Sequence, residues 1–119
     1  MATYSKIVLS GSTDGRGILV DDAATAGKTI HTGSATATTY DEVWIYAANY
    51  DSSDRKLTIE WGSASAGDII ESTIATESGL VLVIPGLILK GNSSPLVIAA
   101  FAATTSSIQL FGYVNRITA

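Results

Sequence analysis

The 119-residue chain contains no cysteine, so neither a disulfide framework nor thiolate chemistry is open to it. Charge is also scarce, at 15% of residues. The seven Lys and Arg are scattered from Lys6 to Arg116, and the formal net charge is −4. That excludes the clustered basic surface a nucleic-acid backbone calls for. The longest apolar run, Gly79 to Leu89, is broken by Pro85-Gly86 and falls short of the roughly 20 residues a membrane span needs. No signal peptide is expected, because Ala2 to Lys6 leads directly into a short extended segment rather than a sustained apolar core. No segment repeats its apolar residues with a helical period, so helices are not expected either.

What the chain does have is apolar surface. Hydrophobic residues make up 46% of it, a high share for so few charges. A chain of this size is expected to form one domain, residues 1–119, with one modest core. The apolar surplus then points to a subunit interface, since obligate contacts resemble a core cut in half.

The stretch from Tyr40 to Gly62 organises the rest. Val43, Ile45 and Ala47 alternate with Trp44, Tyr46 and Ala48, so this strand is apolar on both faces and is expected to be central and covered on each side. After the polar turn Tyr50 to Arg55, Leu57, Ile59 and Trp61 alternate with Thr58 and Glu60. The two runs read as a hairpin whose second strand has one wet face. Further strands are expected at Lys6–Leu9, Ile18–Val20, Lys28–Thr32, Asp68–Ile74, Leu80–Ile84, Leu87–Lys90, Pro95–Phe101 and Ser107–Ile117. Pro85-Gly86 suits the middle of a type II turn. Short strands separated by Gly, Ser and Ala turns predict an all-β protein, a single antiparallel β-sandwich of jelly-roll type with about eight strands.

No catalytic constellation stands out. His31 is the lone histidine and sits in an expected strand, where a structural or exposed role outweighs a catalytic or metal-binding one. Gly27-Lys28-Thr29 resembles the tail of a phosphate-binding loop, but Asp22 stands where that motif needs glycine and a strand follows where it needs a helix. The turn Gly11 to Gly17 reads as a strand connection. The acidic pairs Asp21-Asp22 and Asp51/Asp54 lack the spacing of a calcium loop and fit ordinary turn chemistry. None of the eleven carboxylates forms an evident glycosidase pair. Asn92-Ser93-Ser94 fits a glycosylation sequon. Trp44 and Trp61 are expected in the core, because large aromatics dominate core burial. Tyr50, at the turn, is the expected exposed aromatic contact. The expectation is a non-enzyme without cofactor or metal.

Several phrases carry a resemblance. Asp41 to Ala47 (Asp-Glu-Val-Trp-Ile-Tyr-Ala), Leu57 to Gly62 (Leu-Thr-Ile-Glu-Trp-Gly), Ser78 to Gly86 and Phe111 to Thr118 are similar to parts of small head decoration, or cement, proteins of tailed bacteriophages. The resemblance implies a β-rich homo-oligomer, trimer rather than dimer, on the capsid exterior of a virion, made in the host cytoplasm. Its partner would be the major capsid protein, whose neighbouring subunits it would staple. Leu80, Leu82, Ile84, Leu87, Leu89 and Tyr50 are then the expected interface residues, with Gly33 to Thr39 as a second contact. Met1 to Ser5 would be a movable end reaching to a neighbour. The alternative is a carbohydrate-binding β-sandwich using exposed aromatics and acidic turns. A β-domain with some other scaffolding role is the third reading.

Overall fold

Period-two patterning fixes the inner face of the longest strands. In the computed structural model, which describes residues 2–119, Thr39–Asn49 forms a strand whose burial alternates without a break. Val43, Ile45 and Ala47 point inward, and Tyr40, Trp44 and Tyr46 point outward. In chain order the described strands are β1 (Thr3–Val8), β2 (Ile18–Leu19), β3 (Lys28–Thr32), β4 (Thr39–Asn49), β5 (Arg55–Trp61), β6 (Ile69–Ile74), β7 (Val81–Lys90), β8 (Val97–Ala102) and β9 (Ile108–Thr118). A 3-10 turn, Ala66–Asp68, leads into β6.

The strands form two antiparallel sheets. The first runs β1–β9–β4–β7, with β2 also pairing along β9, and the second runs β3–β8–β5–β6. With β1 and β2 counted as one interrupted strand, the order is that of a jelly roll, as the sequence predicts. The core between the sheets is aliphatic. Its largest members are Leu9, Ile30, Ile45, Leu57, Ile59, Ile74, Ile84, Ile98, Ile108 and Leu110.

The expected hairpin is corrected. β4 and β5 are consecutive in the chain but lie in different sheets: β4 pairs with β9 and β7, and β5 pairs with β8 and β6. The Asp- and Ser-rich segment between them is an arch over one end of the core. Asn49 fixes it, donating its amide to the carbonyls of Ser53 and Ile74 at 2.9 and 2.8 Å and accepting from the Asp51 N–H at 2.9 Å. The bond to Ile74 ties the arch to β6 and steers the chain into the second sheet.

The wet face expected on β5 is corrected as well. Thr58 and Glu60 are buried. Glu60 lies under the connection between β2 and β3, accepting hydrogen bonds from the Gly27 N–H at 2.8 Å and from the Thr25 hydroxyl. Nor is Pro85-Gly86 a turn. β7 runs through it, and its register against β4 slips between Val43 and Trp44 and again between Ile45 and Tyr46. The pair forms part of a bulge on an edge strand, where proline's missing N–H removes no needed ladder bond.

Thr3 to Ser5, expected to be movable, belong to β1 and pair with Thr118, Ile117 and Arg116; Met1 lies outside the described residues. After β1 the chain crosses to the other sheet. Leu9 is fully buried, and the Gly11 N–H bonds the Ile30 carbonyl at 2.9 Å, closing that side of the sandwich.

Candidate functional site

Two groupings of polar and aromatic side chains emerge, one inside and one outside. The inner grouping centres on Asp41, which faces the core side of β4 and is 1% exposed. Its partner across the ladder on β9 is Arg116, whose Nε and Nη2 donate to the two carboxylate oxygens at 2.7 and 2.8 Å. His31 Nε2 lies 2.8 Å from Asp41 Oδ2. The other ring nitrogen, Nδ1, accepts the Ser10 backbone N–H at 3.0 Å, which makes Nε2 the protonated nitrogen and the donor to Asp41. Burial pushes the Asp41 carboxyl up, but hydrogen bonds from Arg116 and His31 outweigh it and hold the group below the ordinary carboxylate range. Asp41 in turn raises Arg116.

Both nitrogens of His31 are thus committed to structure. The cluster joins the β1–β2 connection, β3, β4 and β9. Its chemistry is that of a clamp. Sequence reasoning favoured a structural histidine but could not supply its partner, because Asp41, 10 residues on, lies on a strand of the other sheet, and Arg116, which completes the cluster, is 75 residues from Asp41.

The outer grouping covers the exposed side of the first sheet. Alternation places Tyr40, Trp44 and Tyr46 of β4 outward, and the ladder sets Ile117, Tyr113 and Phe111 of β9 opposite them. Tyr4 of β1 joins opposite Ile117. Six of the nine aromatic residues therefore share one face, and the fully buried core contains none. This corrects Trp44, which the sequence placed in the core. Trp61 is partly buried and packs against it.

The rings interlock. Trp44 and Tyr113 stack with centroids 6.2 Å apart and planes 12° from parallel. Lys6 Nζ of β1 sits over the Tyr113 ring, 5.0 Å from its centroid. On the β7 side, Gly86 backs onto Trp44 so closely that a Cβ there would lie 2.8 Å from the ring. One residue from each of four strands forms a line across the sheet. Glu42 accepts the Trp44 indole N–H and the Asn115 amide, both at 2.8 Å, and these two bonds hold its carboxyl below the ordinary range. Beside it lies a shallow hollow of about 330 Å³ lined by Tyr4, Ser5, Lys6, Glu42, Asn115 and Ile117.

The expected interface residues divide. Leu80, Leu82, Leu87 and Tyr50 are exposed, whereas Ile84 and Leu89 are 1% and 4% exposed and belong to the core. Ile84 and Leu89 are corrected on that ground: the bulge at Gly86 shifts the alternation of β7 by one residue, so Ile84 opposite Ile45 and Leu89 opposite Asp41 both face inward. The remaining four do not converge. Leu82 lies on the outer face opposite Tyr46, and Leu87 lies opposite Val43 on the inner side of the edge strand. Leu80 precedes β7, and Tyr50 is at the end of the sandwich, its hydroxyl donating to the Ser106 carbonyl. Sequence reasoning missed Tyr4, Val8 and Ile88, which are exposed and on the same outer face as Trp44. Their signal was available in the alternation of β1 and β7, but only with the pairing known.

The acidic turn residues are occupied. Asp51 pairs with Arg55 at 2.7 Å, which lowers its carboxyl, and Asp54 accepts the Thr76 N–H at 3.1 Å. Among the described residues, no three His, Asp or Glu side chains gather as metal ligands.

No family model matches the chain, and no curated protein matches it. Among solved structures it is similar to the N-terminal CBM22-1 and GH10 modules of the Clostridium thermocellum endo-1,4-β-D-xylanase 10B, determined with xylohexaose. The TM-score is 0.46 at 7% identity, over 99% of this chain and 24% of that one. The chain thus spans about a quarter of the length of that protein.

Proposed function

We propose that the protein is a decoration, or cement, protein of a tailed-bacteriophage head. It would bind the capsid exterior as a homo-oligomer and strengthen contacts between major capsid subunits. The observation that carries this reading is the inversion of the usual aromatic placement: an aliphatic core, and six aromatics set together on one outer sheet face, Tyr4 exposed and the other five half-buried. Aromatics are enriched where proteins bury surface against one another. The phrases that resemble cement proteins fall on β4, β5, β7 and β9, and the β4 and β9 phrases supply most of that face.

The carbohydrate reading draws on the hollow beside Glu42 and Asn115. Sugar stacking calls for a free ring face. Tyr113 has Lys6 on one side and Trp44 on the other, which favours a protein contact over a glycan. The test mixes the purified chain with phage heads that lack it. Saturable binding, with heads that withstand more heat, is the expected result. Failure to sediment with heads, together with retention on a glycan array, would replace this reading with the carbohydrate one.

A further inference from the structure

We propose that the outer face of the β1–β9–β4–β7 sheet packs against the same face of a second copy of this chain, so that the free protein is a twofold dimer. This deepens the cement reading by naming the self-contact, and it departs from the trimer that the resemblance implies.

Three observations converge on a second copy as the occupant. The first is pattern. β4 is apolar on both faces, the composition of a strand covered on both sides, yet the described residues bury only its inner face fully and leave the outer one half-buried. Elsewhere the fold does supply covers. The segment before β3 lies over Glu60 on the second sheet, and Gly17 backs onto Phe111 at one corner of the first. The remaining cover must come from outside the chain.

The second is area. β4 and β9 are each 11 residues long. With β1 and β7 at six and ten residues, four strands spaced by about 4.8 Å, each rising about 3.3 Å per residue, give a face of roughly 600 Å² in plan. A standard interface buries about 800 Å² per partner and the smaller stable ones about 600 Å², so this one face reaches the size a dimer needs. Packing sheet on sheet is also how this fold builds its own interior.

The third is charge. The protein carries a net −4, so most ways of bringing two copies together set acidic surfaces against each other. The outer face avoids this. Its charged residues are Lys6, Lys90 and Glu42, leaving a single net positive charge, and Lys6 and Glu42 are engaged with the aromatic line. Edge-to-edge addition along β7 is disfavoured by Pro85 and the bulges around it, which break the ladder another strand would extend. A face-to-face contact related by a twofold axis is self-complementary and closes at two copies.

The experiment is sedimentation equilibrium of the whole chain across micromolar concentrations, without phage heads. The expected mass is twice 12.3 kDa. Ile88→Glu and Val8→Glu, both at exposed positions of the face, should each weaken the dimer at least about tenfold with unchanged circular dichroism. Tyr50→Ser, away from the face, should leave it intact. In Trp61→Phe, Trp44 is the one tryptophan, and its quenching by iodide should fall as the protein associates. A monomer or trimer mass would overturn the proposal. So would a dimer that tolerates both face substitutions while Trp44 stays open to quencher. A dimer that behaves as expected but ignores phage heads sinks the cement reading and leaves this one standing.

Discussion

Asp41 and Arg116 face each other across the β4–β9 ladder, joined by two hydrogen bonds of 2.7 and 2.8 Å on the core side of the sheet. Because the folded Asp41 carboxyl is held below its ordinary value, its ionised form is the one folding favours. The sign follows from linkage. The contribution is complete above the unfolded carboxyl's value of about 3.9 and is lost as pH falls through the lower folded value. The melting temperature is therefore expected to hold steady from neutral pH to about pH 4 and to drop below it. Glu42 and Asp51, also lowered, act in the same direction. Asp41→Asn should cost about 3–5 kcal/mol at neutral pH, as breaking a buried ion pair does, and should shrink the acid-dependent fall. Thermal melts of both proteins over the acid range check this.

His31 is expected to matter for stability through geometry. Replacing it with Leu leaves the Ser10 N–H without its acceptor and removes one donor from Asp41. The bond from the part-buried Ser10 N–H is worth about 0.5–1.5 kcal/mol, and the lost bond to the charged Asp41 adds about 1.5–3 kcal/mol. The damage should be local. Amide exchange is expected to speed up at Ser10 and Gly11, where the β1–β2 connection crosses to β3, before it does so in β4 or β9. Exchange that rises evenly through the molecule would deny His31 its role as a clamp.

Gly86 is expected to tolerate no side chain. Its φ of +78° lies in the left-handed region, and a Cβ would come within 2.8 Å of the Trp44 ring. Gly86→Ala should cost about 1–2 kcal/mol from the backbone alone, with more if the indole must move. Displacing Trp44 also breaks its stack on Tyr113. In a Trp61→Phe background, Trp44 emission should shift and the outer face should lose affinity for its partner. A variant with unchanged melting and unchanged emission would contradict the tight approach of β7 to β4.

The particular residues show what a sequence can and cannot reveal here. The strands were legible because alternation and Gly, Ser and Asp turns are local signals, and Lys28–Thr32 matches its expected bounds. The inner face of β4 was legible for the same reason. Its pairing was not, because Val43 meets Val114 far along the chain, while the nearby β5 goes to the other sheet. Trp44 was misplaced because alternation gives two faces without saying which is covered, and a large aromatic is core by default. Glu60 looked solvent-facing for a related reason. Nothing local records that residues 21–27 fold back over it. The candidate face was legible only as apolar surplus, since assembling it takes β1, β9, β4 and β7 side by side.

The cover over Glu60 supplies the last prediction. A carboxylate at 3% exposure without an ion-pair partner among the described residues depends on its hydrogen bonds, and two come from the segment that hides it: those of the Gly27 N–H and the Thr25 hydroxyl. That segment is also pinned by the Ala102 N–H on the Asp22 carbonyl and by an exposed Lys28–Asp21 pair, the latter worth little. Glu60→Ala removes the charge and both bonds together, so the cost should be modest, about 1–2 kcal/mol. Glu60→Gln keeps an acceptor for one donor but turns amide hydrogens toward the other, and should be no better. The larger effect of Glu60→Ala should be mobility of residues 21–27. Limited proteolysis is expected to cut there well before the sheets unfold, while Trp44 fluorescence and the outer face of the first sheet stay as they are. Cleavage in this segment at the wild-type rate would mean that Glu60 does not hold it.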